Sequence, residues 1–296
     1  MTDRSAPRPG RSAPRHDQAA QGRKRTGGRT EQTVIGGRRA VTEAIRAGRA
    51  RRVMMAREAE RSPGLTDLLD AAGAAGIPVE EVARSRIDAL GVGDHQEVAA
   101  FVRPPADLDE RALSEFAFDA DAIVVLLDGV TDPQNLGAAA RAAEAAGAAL
   151  LVTRTRRAAP VSPAAIRASA GALLHLPHAR VANLTRAIER LKDRGFHVVG
   201  LDERATRTLH DAPPPRPLLL IVGSEGAGMS RLVREACDQL VAIPMTGKVG
   251  SLNASAALAV ALFGFALRPV EGPPAPAKKV RSTHAGVAQS GSASDL

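Results

Sequence analysis

Apolar and polar positions fall into regular periods from Thr33 onward. Thr33–Gly36 reads as a short strand, and Arg38–Ala47 as a helix with Val41, Ala44 and Ile45 on one face. The pattern then predicts a strand at Arg52–Met55, a helix at Leu65–Ala75, a strand at Val79–Val82, a helix at Ser85–Leu90 and a strand at Glu97–Val102. Pro104–Asp121 is mixed and charged, and reads as a linker with at most one helical turn. A continuous apolar run, Ile123–Leu127, is closed by Asp128-Gly129, the signature of a buried parallel strand ending in a turn. Helix Pro133–Ala146, strand Ala149–Val152, helices Pro163–Ala170 and Leu184–Arg194, and strands Phe196–Leu201 and Leu218–Val222 follow. Helix Ser230–Ala236, strand Leu240–Ile243 and a last helix near Asn253–Leu267 complete the series. Strands alternating with helices imply an α/β fold, a mostly parallel sheet covered on both faces.

Composition divides the chain further. Its 296 residues are enough for two domains, 33–104 and 122–268, joined by 105–121. Residues 1–32 and 269–296 lack hydrophobic periodicity and are expected to be disordered. The net charge of +8 is uneven: residues 1–32 carry eight Lys/Arg against three Asp/Glu, so a basic arm holds most of the attraction for polyanions. The bland alternative for such an arm is a solubilising tail. With no Trp or Tyr and six Phe, base stacking on aromatic platforms is not a main resource. The single cysteine, Cys237, excludes an intrachain disulfide and suits a reducing, cytoplasmic setting. Neither a secretory signal nor a membrane span is read from the sequence. The seven His lack metal-ligand spacing, so no metal is expected. No G-x-S-x-G or kinase motif set is present.

Three segments could carry chemistry, each at the C-terminal end of a strand, where open α/β sheets bind ligands. In the first, Asp132 fits an N-cap and Pro133 the N1 position, which puts Asn135 in the first helical turn and Arg141 about two turns in. Small residues at Gly137 and Ala138 leave room for that guanidinium, whose fixed donors suit a phosphate or an oxyanion. A capped helix with one surface arginine reads the same way. The second, Gly223-Ser224-Glu225-Gly226, looks like a dinucleotide loop, but its spacing is wrong and Glu225 would repel a pyrophosphate. A sulfonium cofactor fits better, and a plain tight turn fits as well. The third runs from Ile243-Pro244-Met245 to Ser251-Leu252-Asn253-Ala254-Ser255, where Ser251 or Asn253 could simply be a helix cap.

In this order, Asn135…Arg141, Gly223–Gly226 and Ile243…Ser255 resemble the three motifs of the SpoU (TrmH-like, SPOUT superfamily) RNA 2′-O-methyltransferases. Arg157-Ala158-Ala159-Pro160 and Ser169-Ala170-Gly171-Ala172 are similar to the bacterial 23S ribosomal RNA guanosine 2′-O-methyltransferase branch. Gly36–Ile45 and His95-Gln96-Glu97-Val98 resemble its small L30e-like RNA-binding domain. The resemblance spans about 33–268. Glu97 departs from that branch, which commonly has Gly after His-Gln, and Ala254 stands where Val is usual. The related thiostrepton-resistance branch shares the motifs.

The resemblance implies a trefoil-knotted, parallel-sheet methyltransferase domain behind an L30e-like domain, working as a homodimer on RNA. It implies S-adenosylmethionine held around Gly223, Ser224, Gly226, Ile243, Met245 and Leu252. It assigns catalysis to Arg141, with Asn135 and Glu225 orienting the site and Ser251 and Asn253 shaping its far wall. Because an arginine side chain stays cationic, a phosphate clamp and alkoxide stabiliser is the better physical role for Arg141 than a general base. The alternatives are a transfer RNA ribose methyltransferase of the same superfamily, a thiostrepton-resistance-type enzyme, or a non-catalytic RNA-binding assembly protein that keeps the fold. A dinucleotide-dependent oxidoreductase would rest only on the glycines of 223–228.

Overall fold

The computed structural model describes residues 33–211, 214–248 and 250–266, so the arm and tail expected to be disordered lie outside it. The first sheet contains β1 (Thr33–Gly36), β2 (Ala50–Ala56), β3 (Val79–Val82) and β4 (Val98–Val102) in the order β1-β4-β2-β3. β4 runs antiparallel to both neighbours, and β2 pairs parallel with β3. Helices α1 (Arg38–Arg46), α2 (Pro63–Ala75) and α3 (Arg84–Asp88) accompany it. The periodicity of α1 holds: Val41, Ala44 and Ile45 are all buried.

Glu97 is not in a strand. It follows Gln96 in the left-handed region, with φ of 67° and 48° respectively, a conformation glycine adopts without penalty. Its carboxylate compensates by accepting from Glu60 N and Arg38 Nη2, both at 3.0 Å. The backbone bond from Glu60 and the guanidinium of Arg38 hold this carboxyl below its usual range, against desolvation. The departure from Gly is thus accompanied by an ion pair with Arg38.

The segment read as a linker is folded onto the second sheet. Asp109 caps helix α4 (Glu110–Glu115), accepting from the amides of Arg111 and Ala112, and Leu113 is buried with Phe116 and Phe118 packed beside it. Its mixture of charges hides the apolar face from a periodicity reading. The second sheet is wholly parallel, in the order β7-β6-β5-β10-β8-β11-β9. Its strands are β5 (Ile123–Asp128), β6 (Leu150–Arg154), β7 (His178–Val181), β8 (His197–Leu201), β9 (Arg207–Thr208), β10 (Leu218–Gly223) and β11 (Gln239–Ala242). The helices are α5 (Pro133–Ala145), α6 (Pro163–Ala168), α7 (Leu184–Lys192), α8 (Arg231–Glu235) and α9 (Ala254–Ala266). All six residues of β5 and of β10 are buried, as their unbroken apolar runs require.

β7 and the two-residue β9 were not legible in the sequence. β7 is the tetrapeptide His178-Ala179-Arg180-Val181, too short for its polar–apolar alternation to stand out and with no apolar run to mark it. Its histidine is buried instead by being bonded: Nδ1 to Asp107 Oδ1 at 2.9 Å and Nε2 to Thr153 Oγ1 at 2.8 Å. Desolvation works against ionisation of Asp107, but the His178 bond and the charges of His178 and Arg180 prevail and lower its pKa. A carboxyl depressed on folding stabilises the fold above its unfolded pKa, roughly 4, and loses that contribution as pH falls through the folded value. Urea midpoints should therefore drop more steeply below about pH 4 in the parent than in Asp107→Asn, and equal slopes would remove Asp107 from this role.

The smaller sheet's unit is fastened to the larger one. Arg49 Nε donates to Leu174 O at 2.7 Å, His175 Nε2 meets Glu43 Oε2 at 3.0 Å, and Arg167 donates to Val92 O.

Candidate active site

β5 and β10 lie side by side in register, Asp128 opposite Gly223, although the chain leaves β5 toward β6 and β7 and reaches β10 only after β8. This is the sheet's topological switch point, where the loops leaving adjacent strands diverge and open a crevice.

After β5, Gly129 turns the chain at φ 82°, and Asp132 caps α5 by accepting from the amides of Gln134 and Asn135, each at 3.2 Å. Asp128 is itself buried, and its Oδ2 accepts from Ser230 N at 2.7 Å, tying the end of β5 to the loop after β10. That loop closes on itself: Ser224 N donates to Gly228 O at 3.1 Å and Gly228 N to Ser224 O at 2.9 Å, leaving Glu225 at the exposed tip. Gly223 is required by contact. A Cβ there would stand 2.0 Å from the carbonyl carbon of Gly228.

The third loop brings Asn253 in ahead of α9. Its Oδ1 accepts from Ser255 N at 2.9 Å and Ser255 Oγ at 2.6 Å, as a helix cap does. Its Nδ2 donates to Asn135 Oδ1 at 2.8 Å and to Glu225 Oε1 at 3.1 Å. One amide thus caps the helix and joins the loops that carry Asn135 and Glu225. Two donors on its oxygen and two acceptors on its nitrogen fix the orientation of that amide.

Beside this network lies a cavity of about 220 Å³. Gly223, Ser224, Glu225, Gly226, Ile243, Met245, Ser251 and Leu252, all proposed from sequence, line it. Asn135 and Asn253 join them through hydrogen bonds. Sequence reasoning missed Asp202, Arg234 and Met229 on the same walls. Asp202 was findable, since it follows the apolar strand β8 at the same sheet edge. It is buried and ion-paired to Arg234 at 2.5 Å. Arg141 stands apart. It is exposed on α5, about 9 Å along the axis from Asn135, with no side-chain partner among the described residues.

The lining suits a sulfonium cofactor. Val222, Met229, Val241, Ile243 and Leu252 offer an apolar wall for a base, and Gly226 and Gly250 leave open space where a Cβ would sit. The lining carboxylates Asp202, Glu203 and Glu225 outnumber the cations Arg204 and Arg234, which disfavours a pyrophosphate. Cys237, outside this lining, is no nucleophile: burial pushes its thiol up to about 12. Among the described residues no group of three or more His, Cys, Asp or Glu could hold a metal ion, and no helix is long and apolar enough to cross a membrane.

A parallel α/β sheet with a glycine-closed crevice at its switch point, behind a separate small domain, defines a two-part ligand-binding α/β protein. Residues 122–263 match the SpoU rRNA methylase family, and residues 34–108 match the RNA 2′-O ribose methyltransferase substrate-binding family. A protein of Staphylococcus saprophyticus assigned to the TrmH family of tRNA/rRNA methyltransferases is 38% identical over 79% of this chain and 94% of its own length. An uncharacterised tRNA/rRNA methyltransferase of Mycobacterium avium is 43% identical over 79% of this chain and 77% of its own. The SpoU methyltransferase AviRb of Streptomyces viridochromogenes, solved with S-adenosylmethionine, superimposes with a TM-score of 0.65 at 30% identity, covering 79% of this chain and 89% of its own. The chain belongs to the SpoU (TrmH) family of RNA methyltransferases, enzymes whose cofactor is S-adenosylmethionine.

Proposed function

We propose that this enzyme methylates a ribose 2′-hydroxyl in RNA, with a guanosine of 23S ribosomal RNA as its target. The observation that carries the reading is the Asn253 amide, which joins Asn135 to Glu225 of the cavity wall. The separate domain matched to the substrate-binding family favours a large structured RNA. S-adenosylmethionine, when bound, supplies the electrophilic methyl group. Gly223, Ser224, Gly226, Ile243, Met245 and Leu252 would hold it in the cavity they line.

Asn135, Glu225 and Asn253 then orient the ribose as a linked unit, and Ser251 closes the wall opposite. Orientation of this kind contributes on the order of 7–11 kcal/mol to such a transfer. Arg141 would clamp a substrate phosphate and stabilise the 2′-oxygen as its proton leaves to water or to that phosphate. The trefoil knot implied by the family resemblance belongs to the same reading.

The enzyme is taken to act as a homodimer in the cytoplasm. α9 (ASAALAVALFGFA) has no charged residue, yet Val260 is 45% exposed, and Met245 and Leu252 in the segment before it are exposed as well. A second copy would cover these residues.

The test is methyl transfer from labelled S-adenosylmethionine to RNA from a strain lacking this protein, followed by nuclease digestion and mass spectrometry. The expected product is 2′-O-methylguanosine in 23S ribosomal RNA. Label in transfer RNA instead would move the target to the alternative class, and methylated bases or no incorporation would end the reading.

A further inference from the structure

Past the Asn253 network, the C-terminal edge of the large sheet continues to β6 and β7 and carries a row of arginines. Arg154 closes β6, Arg156 and Arg157 occupy the turn after it, and Arg180 lies on β7 opposite Thr153. The outer two are anchored. Arg154 Nη2 meets Asp128 Oδ1 at 3.4 Å, while Arg180 donates to Asp107 Oδ2 at 3.4 Å and to Thr155 O at 2.8 Å. The Nε of each is buried with no hydrogen-bond partner. Arg156 and Arg157 are exposed and have no ion pair among the described residues. Asp128 and Asp107 therefore offset two of the four charges, and the other two stand uncompensated.

The row is fixed to the site. Asp128 also accepts from Ser230 N at the end of the Glu225 loop, at 2.7 Å. Ala159 N donates to Val130 O at 2.9 Å, fastening the arginine turn to the loop that leads into Asp132 and Asn135. Arg157 is held in the left-handed region at φ 57°, a conformation that strains a non-glycine residue and persists where the surroundings impose it. The cavity is lined from β8, β10 and β11, so the row lies on the other side of the β5/β10 switch point.

We propose that Arg154, Arg156, Arg157 and Arg180 form the track for the sugar–phosphate backbone of the strand that presents the target ribose. This rests on the RNA-methylating reading above and adds to it the direction in which the strand leaves the site. The geometry fits a linear polyanion. From β5 to β7 is about 10 Å, two strand spacings, and a strand in a duplex carries a charge about every 3.4 Å. The row follows an open edge, so it suits a backbone running past better than a small anion enclosed by a pocket. Uncompensated guanidinia in the middle, with ion-paired ones at either end, leave the edge with net positive charge.

The test is the double variant Arg156→Ala/Arg157→Ala in the full chain, with a fluorescein-labelled RNA hairpin as probe and potassium chloride as the variable. We expect unchanged calorimetric binding of S-adenosylmethionine and RNA affinity at least ~10-fold weaker at physiological salt. The slope of log K against log salt should be shallower by roughly 1.5, two phosphate contacts fewer. With ribosomal RNA as substrate, KM should rise while kcat holds. Arg156→Lys/Arg157→Lys should recover most of the affinity. Parent-like RNA binding by the alanine pair at every salt concentration would overturn the track and leave the methyltransferase reading standing. A parent protein that binds the cofactor and no RNA would overturn both.

Discussion

Arg141→Ala is expected to bind S-adenosylmethionine as the parent does and to lose turnover by at least ~10², the loss typical of deleting one preorganised donor. The first half follows from where the residue sits. α5 buries Leu136, Gly137, Ala139, Ala140 and Ala143, while Arg141 is exposed on the opposite stripe and absent from the cavity lining. Truncating it removes neither core nor cavity wall. The second half follows from its being the one cation of α5, carried on the helix whose first turn supplies Asn135 to the Asn253 amide. Single-turnover methyl transfer separates this from an RNA-binding defect, because saturating RNA rescues only the latter. Near-normal single-turnover rates would remove Arg141 from the chemistry.

Gly223→Ala should weaken cofactor binding by ~10² or more, in a chain that still folds. The added Cβ would lie 2.0 Å from Gly228 C, 2.2 Å from Met229 N and 2.4 Å from Gly228 O. These are backbone atoms of a loop that closes on itself, so no side chain can swing aside. β10 is buried along its whole length and paired on both edges, so the loop must yield. Its displacement takes Glu225 from Asn253 and opens the wall formed by Ser224–Met229. Overpacking of this kind typically costs 1–3 kcal/mol of stability, readable as a lower urea midpoint. Gly226→Ala is the comparison: it is left-handed at φ 75°, but nothing lies within 4 Å of its Cβ, so it carries backbone strain without a clash. Parent-like calorimetry for Gly223→Ala would show that the loop does not form the cofactor's wall.

Much of this candidate site is legible in the sequence, for local reasons. Ile123–Leu127 and Leu218–Val222 are apolar without interruption because both faces of a central parallel strand are covered, and the turn that follows each is where a ligand can enter. Asp132 before Pro133 and Asn253 before an alanine-rich helix are capping chemistry confined to a few residues. The motifs came with their likeness to a known family, which grouped three loops that spacing alone left as a capped helix, a tight turn and another cap.

What the sequence determined by itself was therefore the elements whose burial is written in their own composition, and the short-range caps and turns at their ends. Tertiary structure alone decided the rest. It made a strand of His178–Val181, whose histidine is buried by virtue of Asp107 and Thr153 rather than of its neighbours in sequence. It folded Leu113, Phe116 and Phe118 of the expected linker into the second core. It placed Asp202 against Arg234 in the cavity, and brought Asn135 within 2.8 Å of Asn253, 118 residues away. The reason is the same in each case. Periodicity reports which face of an element is apolar, whereas the partner that covers that face depends on strand order, and strand order is set by packing between segments far apart in the chain.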